Sequence, residues 1–297
     1  MSFSLKNLHA HFVAEASPVD LRQVADEDAL SEIRSALDEY AVLVFHEQPF
    51  SAQEQMAFAQ RLDGELHTKT GISALQKNRF GTEAIADISN VDESGAIIAP
   101  DDRRRIYNLA NRLWHTDASF QDPGGRYSML SAKLIPPVAA DTEFADMRAA
   151  YDALDDEMKA RLEGLIVHHS IAYSREILGF EFSENESAAL EGACHPLIRR
   201  LPHTGRKSLY VASHATKIIG WPIPEGRLLL RDLIEHATQR KFVYRHTWQV
   251  DDFVIWDNRA TMHRGLAFDD TKYRRELRRV TTLDINVRWG SRTPRHF

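Results

Sequence analysis

Only one cysteine, Cys194, occurs in 297 residues, so no intrachain disulfide can form and nothing points to an oxidising compartment. Long apolar runs are missing too. None approaches the roughly 18 residues needed to cross a bilayer, and the first twenty residues lack the basic-then-apolar order of a signal peptide. The expected location is therefore cytoplasmic, with no membrane partner. An excess of positive charge is also absent: the formal net charge is −6, which gives no electrostatic reason to expect nucleic acid as a partner. Arg103, Arg104 and Arg105 form a short basic run, but Asp101 and Asp102 precede it and a solvated loop accounts for it. Cys194 sits beside His195 in a segment, 191–196, that reads as an ordinary loop, so its expected role is structural. Repeats, low-complexity tracts and dividing linkers are likewise missing, which predicts one domain over residues 1–297.

What is present is a core. Hydrophobic residues make up 43% of the chain. Ala29, Leu30, Ile33, Leu37 and Tyr40 recur at helical spacing within 26–40, and a second helix is predicted over 52–62. Helical patterns also run over 147–165 and 225–239. Short β-branched and aromatic runs at 41–45, 84–88, 127–134, 208–212, 242–246, 253–256 and 279–283 read as strands. No strand–helix alternation with a glycine-rich turn occurs, which argues against a dinucleotide-binding doubly wound sheet. Many short strands with a few outer helices predict a mainly β fold, a double-stranded β-helix or jelly roll with flanking helices. Apart from its strand, the stretch 65–112 is polar and rich in turn formers, as active-site loops often are.

Two histidine segments carry the chemistry. Trp114-His-Thr-Asp117 places His115 and Asp117 on one face if that segment is extended. His263 follows the apolar run 253–256. Two imidazoles and one carboxylate form the facial triad of non-haem ferrous oxygenases, which leaves metal positions open for cosubstrate and oxygen. With 14 histidines in the chain the pattern alone is weak, and it gains force from its neighbours. Arg275 and Arg279 come shortly after His263 and share a face on a strand. A guanidinium grips a carboxylate through two parallel N–H bonds. One of the two would hold the remote carboxylate of 2-oxoglutarate and the other an acidic group on the substrate. A solvated, salt-bridged strand face is the bland alternative for these arginines.

The chain resembles the taurine/2,4-dichlorophenoxyacetate dioxygenase family of Fe(II)- and 2-oxoglutarate-dependent oxygenases, and looks especially like its herbicide-degrading branch. The resemblance rests on segments 41–45, 86–91, 113–120, 126–132, 141–154, 236–239, 256–259 and 274–279. It implies iron ligands at His115, Asp117 and His263, 2-oxoglutarate contacts at Thr142 and Arg275, and a substrate-acid contact at Arg279. It also implies a substrate-side histidine at His214. Two departures stand out. Ala139-Ala140 replace a Gly-Gly pair, and Ile72 stands where the branch has a lysine, with Lys69 or His67 as its replacement. The implied reaction uses Fe(II), 2-oxoglutarate and O2 to hydroxylate the carbon beside the ether oxygen of an aryloxyacetate such as 2,4-dichlorophenoxyacetate. The products would be a phenol and glyoxylate, with succinate and CO2. A sulfonate, alkyl sulfate or cinnamate-like acid is the alternative small-molecule acidic substrate. A non-catalytic jelly-roll binding module and a metal hydrolase are more distant readings. A homo-oligomer is compatible with the sequence, which does not fix oligomeric state.

Overall fold

The computed structural model describes residues 3–68, 79–188 and 190–285. In chain order the strands are β1 Ser4–Asn7, β2 Val13–Ser17, β3 Val42–Phe45, β4 Ala86–Ser89, β5 Gly125–Leu134, β6 Thr142–Asp146, β7 Ile166–His169 and β8 Ala193–Pro196. They continue as β9 Ile198–Arg200, β10 Lys207–Leu209, β11 Ala215–Ile218, β12 Val243–His246, β13 Phe253–Asp257, β14 Thr261–Gly265 and β15 Glu276–Leu283. The helices are α1 Glu27–Tyr40, α2 Ala52–Asp63, α3 Arg103–Asn108, α4 Met147–Asp152, α5 Asp156–Leu162, α6 Ile171–Glu176, α7 Glu184–Ala188 and α8 Ile223–Ala237.

Seven strands form the major sheet, in the order β1-β2-β3-β13-β5-β15-β4. Only β2 and β3 pair in parallel in it. A minor sheet, β12-β6-β14, faces it. Period-two alternation explains how they pack. On β13, Phe253 and Ile255 point outward against α1 and α2, together with Leu43, Phe45, Met129 and Val280. Val254 and Trp256 point inward, where they meet Phe144 of the minor sheet, Leu130, Ala132 and Leu277. Ala145 and Met262 turn to the far side of the minor sheet and pack on α4 and α8. Each such fully buried aliphatic or aromatic side chain contributes about 1.5–3 kcal/mol relative to exposure. The result is a jelly roll with helices outside it, as the sequence predicts, although the two sheets do not close into a barrel.

Several local expectations need correction. The pattern over 147–165 is two helices rather than one: α4 ends at Asp152, and Asp155 restarts the chain as an N-cap by accepting from Met158 N at 2.7 Å. Gly164, at φ +78°, then closes the second helix before β7. The Arg103–Arg105 run lies in α3 rather than in a loop, because Asp102 caps that helix by accepting from Arg104 N. Within 208–212 only the first two residues belong to a strand, β10. Cys194 lies on β8, an exposed strand position rather than a loop.

Candidate active site

His115 belongs to no strand. A single antiparallel bridge ties it to His263 on β14, with His115 N to His263 O at 2.9 Å and the reverse bond at 2.8 Å. Asp117 opens a turn, and Ala118 after it takes φ 56°, a left-handed conformation uncommon for a residue with a Cβ. Register on a strand therefore does not bring His115 and Asp117 together; one bridge followed by a turn does. Their ligand atoms, with one from His263, all lie within 4.8 Å of one another. All three side chains are buried.

The surroundings hold His115 and Asp117 most closely, while His263 Nδ1 is buried without a partner. His115 Nδ1 donates to Leu113 O at 2.8 Å, which leaves Nε2 with its lone pair for a metal. Burial pushes its pKa down to about 4, against the pull of Asp117, so the ring is neutral at pH 7. Burial alone would raise the Asp117 carboxyl. Arg279, His263, His115 and the Ser128 hydroxyl outweigh it and draw the group down to about 2, so it is ionised. Ser128 Oγ donates to Asp117 Oδ2 at 2.7 Å, and the Arg279 guanidinium donates to Oδ1. His263 Nε2 lies 3.7 Å from Asp117 Oδ2, and its ring packs 4.7 Å from that of Trp256. Gly125 makes the close approach of the Asp117 segment possible. A Cβ there would sit 2.9 Å from Thr281 Cγ2 and 3.0 Å from Asp117 O.

Sequence reasoning missed the residue that organises this half of the site. Asn258 Oδ1 accepts from Asp117 N and from Trp256 Nε1, both at 3.0 Å. Its Nδ2 donates to Ser128 Oγ at 2.9 Å, and its backbone oxygen accepts from Thr116 Oγ1 at 2.7 Å. The only sequence signal was its place in the Trp256–Arg259 segment that carried the resemblance.

Of the other expected residues, Thr142 is buried on β6, where its Oγ1 accepts from Trp248 Nε1 at 3.0 Å. Arg275 immediately precedes β15, and its backbone N is held by Asn90 Oδ1 at 2.8 Å. Its guanidinium has no carboxylate within 4 Å among the described residues, and Nε is buried without a partner. Burial lowers its pKa to about 10, against the attraction of Asp141. Arg275 lines a cavity of about 100 Å³ with Asn90, Arg105, Leu266 and Gly265, two residues along β14 from His263. Residues 90, 98, 105 and 112 of the stretch expected to be a loop also line this cavity. Arg279 lies two strand periods beyond Arg275, with Leu277 of the inner core between them on the same face. His214 is buried, its ring 6.0 Å from that of His115 and 5.2 Å from that of Phe120. His67 is buried, while Lys69 and Ile72 lie outside the described residues.

The donor set suits ferrous iron: two neutral imidazoles and one carboxylate, no thiolate, and no fourth protein ligand in the cluster. The uncompensated Arg275 suits the far carboxylate of a dicarboxylate chelator. Fold and site thus define a jelly-roll metal-dependent oxygenase. The family model described as taurine catabolism dioxygenase TauD, TfdA family matches residues 4–281, and the chain belongs to that family. It is an Fe(II)- and 2-oxoglutarate-dependent dioxygenase that uses O2. The chain is 46% identical over 288 residues to the alpha-ketoglutarate-dependent 2,4-dichlorophenoxyacetate dioxygenase of Cupriavidus pinatubonensis, covering 97% of this chain and 100% of that one. It is 45% identical to the Burkholderia sp. enzyme of the same name, covering 98% of each. The solved structure of AAD-2 in complex with Mn(II) and N-oxalylglycine is 44% identical, covers 95% of this chain and 97% of that one, and superposes with a TM-score of 0.86. Among the described residues no helix is long and apolar enough to cross a membrane.

Proposed function

We propose that this chain hydroxylates the methylene of aryloxyacetates such as 2,4-dichlorophenoxyacetate, giving a hemiacetal that collapses to a phenol and glyoxylate. The observation that carries the reading is the buried His115–Asp117–His263 cluster, in a chain that matches two enzymes named for this substrate at 45–46% identity. His115, Asp117 and His263 would hold the iron, and Arg275 with the Thr142 hydroxyl would hold the distal carboxylate of 2-oxoglutarate. Bound there, iron with 2-oxoglutarate and O2 supplies the oxidation that replaces C–H with C–OH, leaving succinate and CO2. The protein's share is positioning. Ser128 and Asn258 fix the aspartate, Leu113 O fixes the His115 tautomer, and Arg279 spreads its charge between Asp117 and the incoming acid. His214, its ring 6.0 Å from that of His115, would face the substrate.

The same reading takes residues 1–297 as one dioxygenase domain, with 65–112 as its active-site loop and Lys69 in place of the lysine that aligns with Ile72. It places the protein in the cytoplasm, acting on small organic acids, with no nucleic-acid or membrane partner. Homo-oligomer formation would cover the exposed apolar Ile177, Leu178 and Leu228. The test is 2-oxoglutarate-dependent oxygen uptake with a panel of aryloxyacetates, sulfonates, alkyl sulfates and cinnamates, scored by succinate and phenol. Phenol release from aryloxyacetates at the highest kcat/KM supports the reading. Turnover of a sulfonate or sulfate, with aryloxyacetates inert, removes it.

A further inference from the structure

Five arginines are buried among the described residues: Arg126, Arg148, Arg175, Arg199 and Arg259. Four of them are neutralised by carboxylates: Arg126 by Asp63 at 2.6 Å, Arg148 by Asp146 at 3.0 Å, Arg199 by Asp284 at 3.4 Å and Arg259 by Asp257 at 2.7 Å. Arg175, on α6, has no carboxylate within 4 Å among the described residues. Its Nη1 donates to Ser174 Oγ at 2.7 Å and its Nη2 reaches Asn111 Oδ1 only at 3.5 Å, while Nε is buried without a partner. A buried, unpaired cation is costly, and a fold tolerates one where a ligand supplies the counter-charge.

Its location says which ligand. Ser174 Oγ donates to Ile171 O at 2.8 Å, so its single proton is committed and it must accept from both Arg175 and His214 Nδ1, the latter at 3.0 Å. Two hydrogen bonds thus connect Arg175 to His214, whose ring is 6.0 Å from that of the metal ligand His115. The guanidinium also stacks 4.5 Å over the ring of Tyr107, whose buried hydroxyl interacts with it and hydrogen-bonds no other side chain among the described residues. One helical turn before Arg175, Ile171 lines a cavity of about 490 Å³ with Phe120 and Leu190, and Phe120 touches His214 edge-on. A guanidinium without a carboxylate partner, the cavity that Ile171 and Phe120 line, and the His115–Asp117–His263 cluster therefore converge on His214. Arg279, the arginine the sequence offered for the substrate's acid, is engaged in part by Asp117, so it shares that acid rather than holding it alone.

We infer that Arg175, with the Tyr107 hydroxyl beside it, binds the carboxylate of the organic-acid substrate and sets the enzyme's preference for acids over their neutral analogues. This rests on the proposed reading only in assuming that the substrate is an acid. The substrate is an anion with an apolar body: the carboxylate meets the Arg175 fork, and the body lies against Ile171 and Phe120.

The test compares phenoxyacetate with its neutral isostere phenoxyacetamide in the wild type, Arg175→Gln, Arg175→Lys and Tyr107→Phe. Losing a hydrogen-bonded charge partner should lower the acid-over-amide ratio of kcat/KM about 10- to 100-fold in Arg175→Gln, mostly through the KM of the acid. Arg175→Lys keeps the charge without the fork and should lose clearly less. Tyr107→Phe should shift the ratio in the same direction by a smaller factor. A purely structural arginine would slow both substrates alike, so an unchanged ratio in the Gln and Lys variants overturns the inference. If the wild type turns over a different acid, the aryloxyacetate reading falls, and that acid with its own amide becomes the pair that judges Arg175. If the wild type prefers the neutral analogue, both fall.

Discussion

Asn258→Ala should weaken the protein and its metal site together. The substitution removes the acceptor of two buried donors, Asp117 N and Trp256 Nε1, each held at 3.0 Å. An orphaned buried donor costs about 1–3 kcal/mol, so the pair predicts a loss of about 2–6 kcal/mol. Ser128 Oγ keeps Thr281 Oγ1 as a neighbour at 2.9 Å, and the Thr116 bond to the Asn258 backbone oxygen survives, so neither adds to the sum. For a chain of this size the melting temperature should fall by roughly 3–10 °C. Since Asp117 N is one of the freed donors and Ser128 also loses its tie to Asn258, the carboxylate loses its fixed orientation. Losing outer-shell support of this kind typically costs about 10–100-fold in metal affinity. Thermal unfolding of the metal-free protein and Mn(II) titration read the two effects separately. A melting temperature within about 2 °C of wild type would refute the hydrogen-bond accounting. A large stability loss with unchanged Mn(II) affinity would refute Asn258 as the support of the ligand.

Three further outcomes are expected. Arg275→Ala should raise the apparent KM for 2-oxoglutarate about 10- to 100-fold with a smaller change in the KM of the substrate, measured by succinate release; equal changes in both would contradict its role. Ser128→Ala removes the 2.7 Å donor to Asp117 Oδ2 and should weaken Mn(II) binding about tenfold, checked by titration, while unchanged affinity would show the hydroxyl to be dispensable. Acid should destabilise the fold through His195, whose Nδ1 accepts from Arg199 Nη2 at 2.9 Å and whose Nε2 donates to Gln121 O at 3.0 Å. Burial first, and then Arg199, lower its pKa to about 3, against 6.5 for the free ring. Because the folded value is depressed, its contribution is fully present above pH 6.5 and is lost as pH falls from there toward 3. The loss is about 1.4 kcal/mol per pH unit below 6.5. His195→Asn should remove about one proton from the pH dependence of unfolding between pH 6.5 and 5, and an unaltered slope would contradict the assignment.

Legibility in the sequence followed the physics of each feature. Strand segments such as 42–45 and 253–256 were readable because a strand buried on both faces is apolar along its run. The long pattern at 147–165 misled because Asp155 acts as a cap, a local hydrogen bond that periodicity does not register. At the candidate site, His115, Asp117, His263 and Arg275 were picked out by residue types that bind metals and anions. Asn258, Ser128 and Ser174 did not, since their importance lies in hydrogen bonds between segments far apart in sequence. Arg175 was hidden for a related reason. An arginine's significance here is that it lacks a carboxylate neighbour, and a sequence does not show which side chains fail to meet.

The most direct test of the central claim is an anomalous difference map of crystals grown anaerobically with Mn(II) and N-oxalylglycine. The account predicts one strong peak bounded by His115 Nε2, an Asp117 carboxylate oxygen and His263 Nε2, at roughly 2.0–2.3 Å from each. It also predicts that the far carboxylate of the inhibitor is forked by Arg275. Manganese bound elsewhere, or at this cluster without one of the three side chains, would contradict it.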